Sequence, residues 1–265
     1  MKYTLGFIGC GNMGGALAKA ALKSLDGAKV ALCDFDSAKV EKFVKEYGAM
    51  AATAQEIAQN ARFVVLAVKP QVMESAIADF AEILRARTGV TVVTMAAGLS
   101  IAAIRQYVGA DLPVVRIMPN TPAMLGLGMI LYATDKVSQT EEKAFLDGFA
   151  AAGLFDKIPE ADIDAGSVVS GCGPAFAYAF IQALADGGVA CGVDKDKALL
   201  YAAQTAKGAA EMLLKFGDSQ TLIKNVCSPG GTTIEGVKTL ESENLNGVVV
   251  DAVKASYKRT LELKK

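Results

Sequence analysis

The chain has 265 residues, 52% of them hydrophobic, and a net charge of −1. That length supports one large domain or two modest ones around a packed core, and the near-neutral balance gives no broad field to attract nucleic acid or an anionic membrane. Histidine is absent, which excludes Ser-His-Asp and Cys-His nucleophiles and imidazole-rich metal sites.

The opening MKYTLGFIGCG has too short an apolar run and too many glycines for a secretory signal. Nothing later reaches ~18 unbroken apolar residues, so the chain reads as cytoplasmic. Cys10, Cys33, Cys172, Cys191 and Cys227 are odd in number, widely spaced and without C-x-x-C, which fits reduced thiols better than disulfides or zinc; no metal is expected.

Residues 2–8 form a short apolar run that enters GCGNMGG, and ALAKAALKSL after it has helical spacing, so the segment reads as strand, glycine turn, helix. Gly9, Gly11 and Gly14 make G-x-G-x-x-G. The first permits the tight turn, the second lets backbone approach a pyrophosphate, and the third lets the helix pack on the strand. A second strand over 28–34 ends on Asp34, 20 residues after Gly14, where an acidic side chain meets the adenosine ribose. A carboxylate there accepts from a 2′-hydroxyl and repels a 2′-phosphate, and no arginine follows closely, so NADH is expected to be preferred over NADPH. A merely solvated aspartate would leave that choice open.

Further strands are expected at 62–68, 89–95, 112–118, 128–134 and 153–158, with helices over 71–84 and 140–152. This alternation argues a mainly parallel, doubly wound sheet. In such sheets ligands bind beyond the carboxyl ends of the strands, which directs attention to VKP at 68–70, MAAG at 95–98 and MPNTP at 118–122. The same prolines and small residues also serve plain turns.

From about Ala161 strand signals stop. Residues 174–190 are apolar nearly all round, which predicts burial on several sides, and SGCGPAF at 170–176 predicts an interruption or kink at the start of this region. A second helix to Phe216 carries Leu199, Leu200, Ala203, Ala206, Ala210, Leu213 and Leu214 as a broad apolar stripe. So much apolar surface predicts at least a homodimer, with an ordinary packed domain in a monomer as the alternative. The fold class is α/β, with a Rossmann dinucleotide-binding domain over 1–160 and an all-helical domain over 161–265. Within that helical half SPGGTTIEG, at 228–236, stops the pattern just ahead of another helix. Amides and hydroxyls at a helix start suit a carboxylate, and equally a plain threonine N-cap.

Taken together, GFIGCGNMG, LAVKP, MPNTP, SGCGPAF, ALADGGVACG and NVCSPGGTTIEG, in that order along nearly the whole chain, resemble the motif set of the pyrroline-5-carboxylate reductases. The resemblance implies hydride transfer from NAD(P)H to the C=N bond of 1-pyrroline-5-carboxylate, giving proline. It also implies a helical dimerisation domain and a homodimer, which in relatives often assembles into a decamer of five dimers. By position it puts Gly9, Cys10, Gly11, Asn12, Met13 and Gly14 at the pyrophosphate, and Ala67, Val68, Lys69 and Pro70 along the dinucleotide. Met95, Ala96 and Ala97 fall near the nicotinamide end, and Asn120 in its pocket. Asn225, Gly230, Gly231, Thr232 and Thr233 hold the pyrroline, with Thr233 nearest the imine nitrogen, and Glu160 matches an acidic position that approaches the ring nitrogen in some relatives.

The chain departs from the pattern in two places. Asp34 stands where many relatives carry a small polar residue or an arginine and use NADPH well, and DSQTLIKN lacks the His-Pro often found upstream of the substrate loop. The absence of histidine does not obstruct the reaction, because a cyclic imine that binds already protonated needs only positioning and hydride. A β-hydroxyacid dehydrogenase would need a lysine on the first interdomain helix, and none occurs between Lys157 and Lys195. A non-catalytic redox sensor would have lost the substrate loop, which is intact.

Overall fold

Alternation along the strands sets the architecture. In residues 61–66, Phe63 and Val65 enter one apolar cluster with Leu5, Phe7, Leu17, Phe145 and Phe149. Their neighbours Val64 and Leu66 enter another with Ile57, Ile77, Phe80 and Ile104. A strand buried on both faces has this signature, with helices covering each side of the sheet.

The computed structural model describes residues 1–263. Among them the strands are β1 (Tyr3–Ile8), β2 (Val30–Cys33), β3 (Met50–Ala51), β4 (Ala61–Leu66), β5 (Thr91–Thr94), β6 (Val114–Met118), β7 (Gly128–Asp135) and β8 (Gly153–Lys157). They form one 8-stranded sheet in the order β3-β2-β1-β4-β5-β6-β7-β8. Every pairing is parallel except β6 with β7. The helices of this part are α1 (Asn12–Ser24), α2 (Ser37–Tyr47), α3 (Ala54–Asn60), α4 (Met73–Ala78), α5 (Ala81–Arg85), α6 (Ile101–Val108), α7 (Gln139–Gly148) and α8 (Ile163–Ser167).

Two expected helices are shorter than the periodicity suggests. Residues 71–84 are divided between a 3-10 turn at Pro70–Val72, α4 and α5, with the chain breaking at Asp79 and the buried Phe80. Residues 140–152 end as α7 followed by a 3-10 turn at Ala150–Ala152, with Phe149 fully buried at the junction. β3, a two-residue edge strand, is too short to show any alternation.

Compactness divides the chain into one unit of Met1–Gly171 with the residues from Tyr257 on, and a second of Cys172–Ser256; the expected boundary at 160 falls ahead of that division. A π-turn at Val168–Cys172 supplies the interruption expected there. Beyond it come α9 (Gly173–Ala190), α10 (Lys195–Phe216), α11 (Ser219–Val226), α12 (Thr232–Ser242) and α13 (Leu245–Glu262).

In the second unit α9 and α10 meet through Ala185, Ala198 and Ala202, with Ile181 and Val193 at the edges. The expectation that 174–190 is buried on several sides is not met within one chain: Tyr178 is 62% exposed, and Phe180 and Leu184 are each 46% exposed. One partner helix can hide only one stripe of an all-round apolar helix. Within the helical run Glu160–Ala190 an 18-residue window reaches a mean hydropathy of 1.4, so by length and composition the run is apolar enough to cross a membrane. Its apolar residues are interrupted by Ser, Gly, Pro, Gln and Asp, so it holds no long unbroken apolar stretch.

Candidate functional site

The glycine turn links β1 to α1, and its three glycines have separable roles. Gly9 has φ +104°, and a Cβ there would lie 2.6 Å from the Ala67 carbonyl oxygen. A Cβ on Gly14 would lie 2.4 Å from the Gly9 carbonyl oxygen and 2.8 Å from the Ala67 Cβ. These two residues are needed so that β1, α1 and the end of β4 can touch. A Cβ on Gly11 would meet nothing within 4 Å. Gly11 is the N-cap of α1, with no side-chain cap and no acidic residue in the first turn. The leading amides of a 13-residue helix therefore face an open, uncapped cradle, which suits a pyrophosphate. A groove of about 420 Å³ continues from Cys10, Gly11 and Asn12 between Lys19 on α1 and Lys39 and Phe43 on α2.

Asp34, just past β2, is bound into the same turn. Its Oδ2 accepts from the Cys10 amide at 2.5 Å and its Oδ1 from the Asp36 amide at 2.9 Å, while Lys39 Nζ lies 3.5 Å from Oδ1. Burial pushes the Asp34 carboxyl up, but the two amides and the Lys39 ammonium outweigh it and hold the group below the usual carboxylate range. Burial, reinforced by the Asp34 charge, pushes the Cys10 thiol up to about 12, so Cys10 is no nucleophile at neutral pH. Sequence reasoning missed Lys39. The signal was available, since Asp36 caps α2 and the first turn of that helix brings residue 39 back toward residue 34.

The other expected cofactor loops follow β4, β5 and β6, neighbours of β1 in one parallel run, so they share the sheet edge with the glycine turn. Ala67 is half-buried and donates its amide to the Ile8 carbonyl at 2.8 Å. Val68 is half-buried, Lys69 exposed, and Pro70 opens the 3-10 turn. Met95 is half-buried, Ala96 buried and Ala97 exposed. Asn120 braces the loop after β6. Its Nδ2 donates to the Ser170 carbonyl at 2.9 Å and its Oδ1 accepts from the Met129 amide at 3.0 Å.

Glu160 has partners that sequence reasoning did not foresee. Its Oε1 accepts from the Ile101 amide, the first of α6, at 2.7 Å, and lies 3.4 Å from Arg116 Nη1. Arg116 in β6 in turn donates through Nη2 to Asp164 Oδ1 at 2.7 Å, and both side chains are almost wholly buried. Arg116 and Asp164 carried no signal, because they stand 48 residues apart and Arg116 sits inside an apolar strand run.

In the second unit, the expected substrate loop is a turn in which the Gly231 amide donates to the Ser228 carbonyl at 3.0 Å and Gly230 has φ +69°. α12 begins at Thr232 with Gly231 as N-cap and no side-chain cap, so neither threonine hydroxyl is used in capping. Thr232 and Thr233 are exposed. Asn225 and Thr233 share the wall of a groove of about 540 Å³ with Phe180, Leu184, Met212 and Val226. The structure thus gathers one set of expected residues on the sheet edge of the first unit and another around a groove in the second.

A family model described as "Pyrroline-5-carboxylate reductase dimerisation" matches residues 160–263, and one described as "NADP oxidoreductase coenzyme F420-dependent" matches residues 4–98. The chain is 35% identical to the pyrroline-5-carboxylate reductase of Escherichia coli strain K12, with 100% of each chain covered. It is 34% identical to that of Glycine max, with 99% of this chain and 96% of the relative covered. Among solved structures, a pyrroline-5-carboxylate reductase from Coxiella burnetii superposes with a TM-score of 0.92 at 30% identity, covering 100% of both chains. The Plasmodium falciparum pyrroline carboxylate reductase with NADP bound gives 0.86 at 30% identity, covering 99% of this chain and 98% of that one.

Proposed function

The chain belongs to the pyrroline-5-carboxylate reductase family, and from that premise we infer that it reduces the C=N bond of 1-pyrroline-5-carboxylate to give proline, the last step of proline biosynthesis. The observation that carries this reading is the full-length likeness to named reductases in a chain that keeps both the open Gly11 cradle and the SPGGTT turn. The bound nicotinamide supplies the hydride.

The chain's own residues bind and orient. Gly11 and the first amides of α1 receive the pyrophosphate. Asp34 keeps acceptor capacity beyond its two amide bonds, since a carboxylate offers about four lone-pair sites, and receives the ribose hydroxyls. The turn at Gly230 and Gly231 receives the substrate carboxylate, with Asn225 and Thr232 beside it. Thr233 sits at the imine nitrogen as a hydrogen-bonding partner, not as a base. A protonated imine needs no imidazole, which fits a chain without histidine. Glu160 is assigned to holding α6 and Arg116, since its carboxylate has those partners already.

NADH preference forms part of this proposal and rests on Asp34. The Lys39 ammonium 3.5 Å away offsets that charge, so NADPH serves as a weaker second cofactor. The chain forms homo-oligomers through its dimerisation domain, here assigned to 161–265 beside a Rossmann domain over 1–160. The apolar run at 160–190 lies inside the dimerisation match and is read as protein-facing. A decamer of five dimers and a cytoplasmic location complete the proposal.

The test is loss of the NADH absorbance band on mixing purified protein with pyrroline-5-carboxylate, repeated with NADPH. Rapid loss with both, faster with NADH, is the expected result. NADH that binds but is not oxidised would remove the imine as substrate.

A further inference from the structure

We propose that Phe35 is the platform on which the adenine ring of the dinucleotide stacks. The proposal rests on the dinucleotide reading above and adds to it the residue that grips the base.

Phe35 is 108% exposed, the most exposed large apolar side chain among the described residues. That exposure does not come from a loose loop, because both flanking residues are pinned. Asp34 accepts from the amides of Cys10 and Asp36, and Asp36 caps α2 by accepting from the Ala38 amide at 3.2 Å. The backbone on either side of the ring is thus held between the glycine turn and a helix start. A phenyl ring left in water on a fixed backbone gains nothing in the isolated chain.

Position selects the occupant. The 2.5 Å bond from the Cys10 amide to Asp34 places residue 35 beside the pyrophosphate turn. Asp34 meets the adenosine ribose, and the base is one glycosidic bond further on. In the strand order β2 and β4 flank β1, so the loop bearing Phe35 lies on one side of the turn and the Pro70–Val72 turn, with Val72 49% exposed, on the other. A base entering between them meets an aromatic face on one side and an aliphatic residue on the other. Stacking requires only a π-face and therefore suits adenine whichever cofactor, NADH or NADPH, carries it.

The test uses the full chain and two halves of the cofactor: ADP-ribose, which carries the adenine, and reduced nicotinamide mononucleotide, which does not. Phe35→Ala should raise the Kd for ADP-ribose at least tenfold, within the range that alanine substitution under a stacked base produces, and leave the mononucleotide Kd unchanged. The chain contains no tryptophan, so Phe35→Trp introduces a single indole. Its fluorescence should be quenched by ADP-ribose but not by the mononucleotide, with ADP-ribose affinity restored. An unchanged ADP-ribose Kd in Phe35→Ala, or an indole indifferent to ADP-ribose, overturns the stacking proposal while the dinucleotide reading stands. Failure of the wild-type chain to bind either NADH or ADP-ribose overturns both.

Discussion

Replacing Glu160 by alanine should destabilise the protein and leave the imine step intact. Its carboxylate oxygen accepts from the Ile101 amide at 2.7 Å and lies 3.4 Å from Arg116 Nη1. A hydrogen bond to a charged acceptor contributes about 1.5–3 kcal/mol. The Glu160 side chain is 33% exposed, which puts the loss toward the lower end, at about 2 kcal/mol. Arg116 keeps Asp164 as partner, but its Nε already lacks one, so little compensation is available at that end. For a chain of this size ~1 kcal/mol moves the melting midpoint by about 2–4 °C, so Glu160→Ala should lower Tm by roughly 4–8 °C. The comparison must be made at one protein concentration, because the midpoint of an oligomer depends on it. Glu160→Gln keeps an acceptor oxygen and should recover about half of the loss. In both variants kcat/KM for the imine should stay within about threefold of wild type at a temperature where the chain is folded. A Glu160→Gln enzyme with wild-type Tm and collapsed kcat would refute the structural assignment and return Glu160 to the ring nitrogen.

Gly11→Ala should melt like wild type, since its Cβ meets nothing within 4 Å, yet bind NADH at least tenfold more weakly; Gly14→Ala, with its Cβ 2.4 Å from the Gly9 carbonyl oxygen, should lose stability as well. Paired thermal melts and NADH titrations separate the two. Thr233→Ala should lower kcat more than tenfold with the NADH Kd nearly unchanged, and an undiminished kcat would strip Thr233 of its role. Asp34→Ser should move the NADH to NADPH ratio of kcat/KM toward NADPH, and an unmoved ratio would show that Asp34 does not discriminate. Because the folded Asp34 carboxyl lies below its ordinary value, its stabilisation is complete above the unfolded value of ~3.9 and disappears as pH falls through the folded one. Urea midpoints should therefore fall less steeply below about pH 4 in Asp34→Asn than in wild type.

Much of the first unit was legible because its signals are short-range and repeated. The glycine spacing, the apolar strand runs and the acid ending the second strand each lie within one or two elements of what they act on. What escaped depended on distant partners or on geometry without a pattern. Arg116 lies in an apolar strand run, and nothing near it announces Asp164 or Glu160. β3 is two residues long, and the break at Phe80 between α4 and α5 interrupts a helical period that Met73, Ile77 and Leu84 otherwise keep. The threonines of SPGGTT suited capping by type, yet Gly231 occupies the cap and leaves both hydroxyls to other uses.

The apolar faces of the second unit predicted at least a homodimer, and within one chain their large side chains stand exposed, which bears on function. Tyr178, Phe180, Leu184, Leu200, Met212 and Leu214 are each at least 46% exposed. Covering such side chains at about 1.5–3 kcal/mol each is enough to offset the ~4–15 kcal/mol that association costs in lost freedom. Phe180, Leu184 and Met212 also line the groove that Asn225 and Thr233 enter. The surface that calls for a second copy and the wall that holds the expected substrate residues are therefore built from the same helices. A substitution that loosens α9 against α10 should therefore perturb assembly and the expected substrate turn together, whereas the glycine turn of the first unit is held by contacts of its own among Gly9, Gly14 and Ala67.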